Sequence, residues 1–582
     1  MTNHTTKNRA RWLRLLALLA AFGMLAAACG GGTDTDEETT DATVEAEDQE
    51  SFDEQAAAQQ EGEDEATEEQ EEVAGDGDPV RGGHLVISGP SDIGSLDPIA
   101  SSSFNTQYRI AHVYQRLLGF ETGPDIGYTQ NVLKPELATD WEISEDNLTY
   151  TFTLRDGVTW HDVPPVNGRP FTSADVKATF EAVLAEGHQA NLLERVTSID
   201  TPDDLTVVLN LSDPFAPLLN NMASHFMWIL PAEAFEEGYD RASTVIGTGP
   251  FVLTEREVDV TTRYEANPSY WDVGFDGEPL PYLDSYEQVV INDTQQVIAA
   301  FQAGEIQVMT NGTPNELRDQ LMQDFPEAFY GEWIDAGMGQ IGINMEREPF
   351  NDLRVRQAIS LAIDRNGMGT TIRGGGTIPS NVAPAQADFA LPEEEREELL
   401  QYDPERAREL LAEAGFPDGL DATLIATDRY GALYTAQTEW LVEDLEAIGI
   451  NVNLELLDYA TYFGSRWPDV EYDIQFGPQT PFLEPDEWLR GQMGTGQGRN
   501  WYNISDPVLD DLLTEQLGIV DPDARAEKIR EIQRYALTEL LNPIPVWTYF
   551  TRWNYAPEFK NFFRHASYGF NGLETTWLEG GS

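Results

Sequence analysis

The sequence predicts an α/β protein divided into at least two lobes, and three observations carry that prediction. The chain has 582 residues, more than one hydrophobic core serves. Leu148, Tyr150, Phe152 and Leu154 alternate with Thr149, Thr151, Thr153 and Arg155, the period-two signal of a half-buried strand. Between Ala422 and Leu456 a strand, a helix and a second alternating strand follow one another, an order that builds a parallel layer with helices against it.

The chain opens with Lys7, Arg9, Arg11 and Arg14, followed by an apolar run from Leu15 to Ala28. That run is short for a membrane span and reads, over residues 1–28, as an export signal. Cys29, the only cysteine, follows Leu25-Ala-Ala-Ala28, the pattern of a bacterial lipoprotein box in which the thiol takes the lipid. The leucine stands one place further from the cysteine than usual. A single cysteine excludes disulfides within the chain. Residues 29–79 are acidic and low in complexity, with Phe52 the one aromatic, and read as a disordered tether. About fifty residues of coil reach on the order of 40 Å.

The net charge is −67, and the chain from Arg81 onward still carries about −50. Such a surface repels phosphate, so nucleic-acid binding is excluded. Lysine is scarce: five against thirty arginines. An acid-dense, lysine-poor surface fits a high-salt medium, where screening shrinks self-repulsion, and fits drift in a GC-rich genome equally.

Along the body, Gly82 to Ser88 predicts a first strand. Asp156-Gly157 is a turn pair after the Leu148–Leu154 strand, and Val158 to Trp160 reads as a strand returning from it. Ser173 is placed to cap a helix with Val176, Phe180 and Val183 on one face. Leu205 to Leu211 alternates as a strand. Gly247-Thr-Gly-Pro-Phe251 combines two glycines that permit a tight course with a proline that fixes it. Val355, Ala358, Ile359, Ala362 and Ile363 form the stripe of a helix within 350–365. Asp403-Pro404, Asp506-Pro507 and Asp521-Pro522 each cap and start a helix. Thr438 to Ile448 predicts another, ended by Gly449, before the strand Ile450–Leu456.

Several of these strings, in order, resemble the peptide-type (family 5) solute-binding proteins of ABC importers. They include Pro135-Glu-Leu-Ala-Thr-Asp-Trp141, Tyr150-Thr-Phe-Thr-Leu-Arg155, Gly247-Thr-Gly-Pro-Phe251 and Phe350-Asn-Asp-Leu-Arg-Val-Arg-Gln-Ala358. The Ala-Asp-Asp-Val helix start of the family departs here to Ser173-Ala-Asp-Val176. The resemblance spans about 81–577, and it reads Val113 to Leu118 as a helix. It implies an α/β fold of the two-lobe periplasmic-binding-protein kind (type II, cluster C), with an extra subdomain in the first lobe. Lobe I would comprise 80–120, 244–335 and 546–582, the subdomain 121–243, and lobe II 336–545. It further implies an extracytoplasmic protein, lipid-anchored through Cys29, monomeric, without cofactor, and serving ABC permease subunits.

Catalytic signatures are missing from the sequence: no nucleophile elbow, no phosphate loop and no zinc helix. The seven histidines are scattered and predict no metal site. The resemblance places the glycine loop 374–376 near the cleft, with Arg373 beside it able to meet an anionic ligand group. It also places an Asp that holds a peptide's amino terminus in the loop 477–483, which here has no acid. A buried ammonium without counter-charge is costly, so Gln479 and Thr480 offer neutral hydrogen bonds instead. With Phe104 and Asn105 in the early loop, and Phe476, Trp488, Trp501 and Tyr502 in the later stretch, the expected ligand is a peptide or an oligosaccharide-like solute. The function expected is capture by hinge closure for an importer, with no turnover. A secreted hydrolase with an unrecognised acid pair, or a sensor for a membrane receptor, are the alternatives.

Overall fold

The computed structural model describes residues 78–582, apart from 90–91, 102, 311–314, 480–481, 483, 567–571 and 581–582. The export signal, Cys29, the acidic stretch up to residue 77 and Thr480 therefore lie outside the described residues.

Three sheets organise the body. The first has seven strands in the order Phe329–Ile334, Phe550–Tyr555, Val308–Met309, His84–Gly89, Ser285–Val290, Thr261–Ala266, Phe251–Glu257. Its centre is parallel, since His84–Gly89 runs alongside both Ser285–Val290 and Val308–Met309. The second has five: Ile450–Leu457, Leu420–Thr427, Ile474–Gln479, Met338–Ile343 and Ile544–Trp547. Here the strand–helix–strand order is realised. Leu420–Thr427 pairs parallel with Ile450–Leu457 across the helix Ala432–Ala447. The third is an antiparallel sheet of Ala138–Ile143, Thr149–Leu154, Thr206–Leu211 and Val196–Asp203.

The predicted hairpin at 156–160 does not form. Thr149–Leu154 is flanked by Ala138–Ile143 and Thr206–Leu211 instead, and Thr159 makes only a single bridge to Pro170. Gly157 sits at φ 81° and turns the chain out of the sheet. Trp160 then buries its ring near Phe171 and donates Nε1–H to Asp175, so side-chain packing prevails over ladder pairing. The helix Ser173–Glu186 is capped one residue earlier than expected. Thr172 accepts from the N3 backbone, while Asp175 reaches back to the Thr172 N–H at 3.0 Å, a complete capping box. Asp175 is thus the acid of the motif that this fold needs.

Val113–Leu118 is also corrected: the helix there is Phe104–Ile110. Gln115 and Arg116 are buried along with Val113, Tyr114, Leu117 and Leu118, which leaves no solvent face for an amphipathic surface helix. They run through the core beside the Gly-Thr-Gly-Pro segment, where the Gly249 and Phe251 N–H groups donate to the Val113 and His112 carbonyls.

The Asp-Pro starts behave as read. Asp403, Asp506 and Asp521 accept from Arg406 N, Leu509 N and Ala524 N at 2.8–2.9 Å. Asp403→Ala is expected to lower stability by about 1 kcal/mol, measured as a shift of the urea midpoint at constant slope. In the helix Leu353–Ala362 the apolar stripe is buried, and so is Arg356, whose guanidinium donates to the Phe350 and Leu540 carbonyls.

The chain passes between the first two sheets at two places, 335–337 and 548–549, lying side by side. Asp335 N–H donates to the Tyr549 carbonyl at 2.9 Å. The Asp335 carboxylate accepts from Gly337 N and from Thr551 Oγ1.

Candidate functional site

Beside those two crossings lies a cavity of about 1060 Å³. The early chain supplies Ser103, Phe104, Asn105 and Tyr108, and the crossings supply Asp335, Gly337 and Tyr549. Tyr430, Tyr459, Phe463, Trp467 and Gln479 come from the side of the five-stranded sheet, Arg499 and Trp501 from a later loop, and Trp553 and Arg564 from the C-terminal part.

Two aromatic runs make the walls. Tyr459, Phe463 and Trp467 recur every four residues, with ring centroids 4.6 Å and 5.2 Å apart, and Trp467 meets Trp501 edge-on at 5.0 Å. Opposite them, Phe104, Tyr108 and Trp553 follow at 6.4 Å and 6.2 Å. The runs touch where Ser103 Oγ and Tyr459 OH share a 3.2 Å hydrogen bond. Burial pushes the Tyr128 and Tyr549 phenols up to about 12, so they stay neutral hydrogen-bonding groups at any physiological pH. Among the described lining residues Asp335 is the only acid, against two arginines. Burial lowers Arg499 to about 10, which leaves it charged.

Of the residues singled out in the sequence, Phe104, Asn105, Gln479 and Trp501 line this cavity. Four others do not. Phe476 is fully buried and stacks on Tyr434 at 4.8 Å. Trp488 packs against Phe482. Tyr502 is buried between Gln340, which donates to its hydroxyl at 2.7 Å, and Gln492, which accepts from it at 2.9 Å. Arg373 is tied to Gln437 Oε1 and lies over the Tyr549 ring at 4.2 Å, one layer behind the wall. In each case a facing layer takes up the side chain, and sequence spacing does not report that layer. Sequence reasoning passed over Tyr430, Tyr459, Phe463, Trp467, Asp335, Arg499 and Arg564. The four-residue aromatic spacing of 459, 463 and 467 was a usable signal; nothing local marks Arg564.

Beneath Arg499 is a buried acidic cluster. The helix Pro485–Met493 packs on the segment around 191–224, where Ser224 Oγ donates to Glu487 Oε1 at 2.8 Å and Glu194 pairs with Arg490. Burial raises Glu487 from 4.5 to about 8 and Asp486 to about 7. The Glu487 carboxyl is therefore protonated in the fold but ionised in the unfolded chain between about pH 4.5 and pH 8. The fold binds the extra proton, so this contribution is complete below about pH 4.5 and disappears as pH rises through 8. Stability should fall with pH across that window. Glu487→Gln, neutral throughout, should flatten the fall by about 1.4 kcal/mol per pH unit. Urea unfolding from pH 5 to 9 checks this, and parallel pH profiles would refute it.

Among the described residues no group of three or more His, Cys, Asp or Glu could hold a metal ion, and no helix is long and apolar enough to cross a membrane.

With this geometry in hand, comparison with known proteins finds a match of residues 132–501 to the model for bacterial extracellular solute-binding proteins, family 5 middle. Di/tripeptide-binding protein 1 of Pseudomonas aeruginosa is 28% identical over 452 residues, covering 72% of this chain and 80% of that protein. Heme-binding protein A of Haemophilus influenzae is 27% identical over 463 residues, covering 75% and 81%. Among solved structures, the ABC transporter-associated periplasmic binding protein DppA from Helicobacter pylori, in complex with the peptide STSA, superimposes with a TM-score of 0.74. It is 24% identical and covers 86% of this chain and 99% of its own. The architecture is thus the two-lobe α/β fold of periplasmic binding proteins.

Proposed function

The chain belongs to the bacterial extracellular solute-binding proteins of family 5, and on that premise we propose that it captures a short peptide in the cavity at the two crossings. The bound peptide passes unaltered to the permease of an ABC importer. The family is extracytoplasmic; Cys29 would anchor this member by a lipid. The moving bodies would be the lobes expected from the sequence, 80–335 with 546–582 on one side and 336–545 on the other. Closure is then a hinge motion that ligand favours by binding the closed form better.

One observation carries the reading: aromatic walls from both sides and a few polar groups converge where only two short segments join the sheets. Rings and neutral hydroxyls grip peptide side chains and backbone without demanding one sequence. The loop 477–483 supplies no acid for the peptide ammonium. Asp335 takes that role instead. Its carboxylate has about four acceptor positions, of which Gly337 N and Thr551 Oγ1 occupy two.

Asp335→Asn should weaken dipeptide binding by roughly 10- to 100-fold, read by titration calorimetry. Thermal shift against a set of di- and tripeptides tests the function itself, since a ligand that binds only the folded form raises the melting temperature. Absence of any shift across the set, or recovery of a hydrolysed peptide, would refute it.

A further inference from the structure

In a chain of net charge −67, the cavity wall is locally inverted, with Arg499 and Arg564 against Asp335 alone. The two arginines differ. Arg499 is turned towards the buried cluster and interacts there with Glu487. Arg564 forms no ion pair among the described residues, and its Nε and Nη1 are buried without a hydrogen-bond acceptor. Its surroundings are rings: the guanidinium carbon lies 4.0 Å from the Trp553 centroid, 5.0 Å from Trp333 and 5.4 Å from Tyr128. Rings attract the cation and fix its plane, but they accept no conventional hydrogen bond, and buried unsatisfied donors are costly. Two residues on, Ala566 N–H donates to the Tyr128 carbonyl at 2.8 Å and pins this segment against the wall.

We propose that Arg564 is the seat of a carboxylate on the captured solute, which would make the ligand a small zwitterion with its ammonium at Asp335. A carboxylate offers two parallel acceptors to one edge of a guanidinium, a match that an amide or a sugar hydroxyl does not reproduce. The aromatic box holds that edge in place beforehand, so little side-chain freedom is lost on binding. This assignment rests on the cavity being the capture site.

The test titrates the mature chain with the dipeptide Ala-Phe and with its C-terminal amide, in wild type, Arg564→Gln and Arg564→Lys. Melting curves verify that each variant is folded. Wild type should prefer the free acid by roughly tenfold or more, and Arg564→Gln should bind the two within about threefold. A wild-type preference retained in Arg564→Gln, or equal binding of acid and amide by wild type, overturns the assignment. If Arg564→Gln does not fold, the wild-type ratio and its reduction in Arg564→Lys decide. Succinate and cellobiose separate this inference from the peptide reading. Succinate binding that Arg564→Gln abolishes, without peptide binding, sustains the carboxylate seat and discards the peptide. Capture of cellobiose alone, or of no probe in the set, overturns both.

Discussion

Arg525→Ala is expected to lower the unfolding free energy by about 3–5 kcal/mol at pH 7. Arg525 and Glu484 form an ion pair whose side chains are only 7% and 3% exposed. Arg525 also donates to Gln516 Oε1 at 3.1 Å, and Asn220 Nδ2 donates to Glu484 Oε2 at 3.2 Å. Asp486 and Glu487 follow directly, their carboxyls already raised by burial and by the neighbouring acids. Removing the guanidinium leaves Glu484 as a buried charge without a cation, a far larger loss than a pair formed in water would suffer. Adding Glu484→Gln to the alanine variant should recover part of it. Urea unfolding at pH 7 decides the matter, and an unchanged midpoint would sink the prediction. The expected casualty is the packing of Pro485–Met493 on the 191–224 segment, which supports Arg499 at the cavity wall.

Gly247→Ala should be the more disruptive change. A Cβ on Gly247 would stand 1.7 Å from the Val113 carbonyl oxygen and 2.4 Å from its carbon. These are backbone atoms, so no rotamer change relieves the overlap. The Val113 carbonyl is held by the Gly249 N–H at 2.9 Å, and the Val113 side chain is fully buried. The cost should exceed the ~1–3 kcal/mol typical of an overpacked core, and soluble yield should drop sharply. Gly123→Ala, which meets nothing within 4 Å, is the matched control. Similar melting temperatures for the two variants would show that the close approach does not matter.

Much of the fold was legible because its signals are local. Alternation marked Thr149–Leu154, Thr206–Leu211 and Ile450–Leu457, and Asp-Pro pairs marked three helix starts to the residue. The misread places share one cause. Val158–Trp160 and Val113–Leu118 are apolar strings whose partners come from residues far along the chain, and a local pattern cannot say whether such a string pairs, coils or runs through a core.

By itself the sequence determined the family, the strands and helices with clear local signals, the acid-rich, lysine-poor composition and the missing acid in 477–483. All of these are properties of neighbours in the chain. Only the tertiary structure decided which side chains face the cavity. It took Phe104, Gln479 and Trp501 to the wall, left Phe476, Trp488, Tyr502 and Arg373 a layer behind, and brought Asp335 and Arg564 in from stretches without a motif. The reason is physical: periodicity reports which face of an element is apolar, whereas membership of a cavity wall depends on how sheets stack across a crossing hundreds of residues apart in the chain.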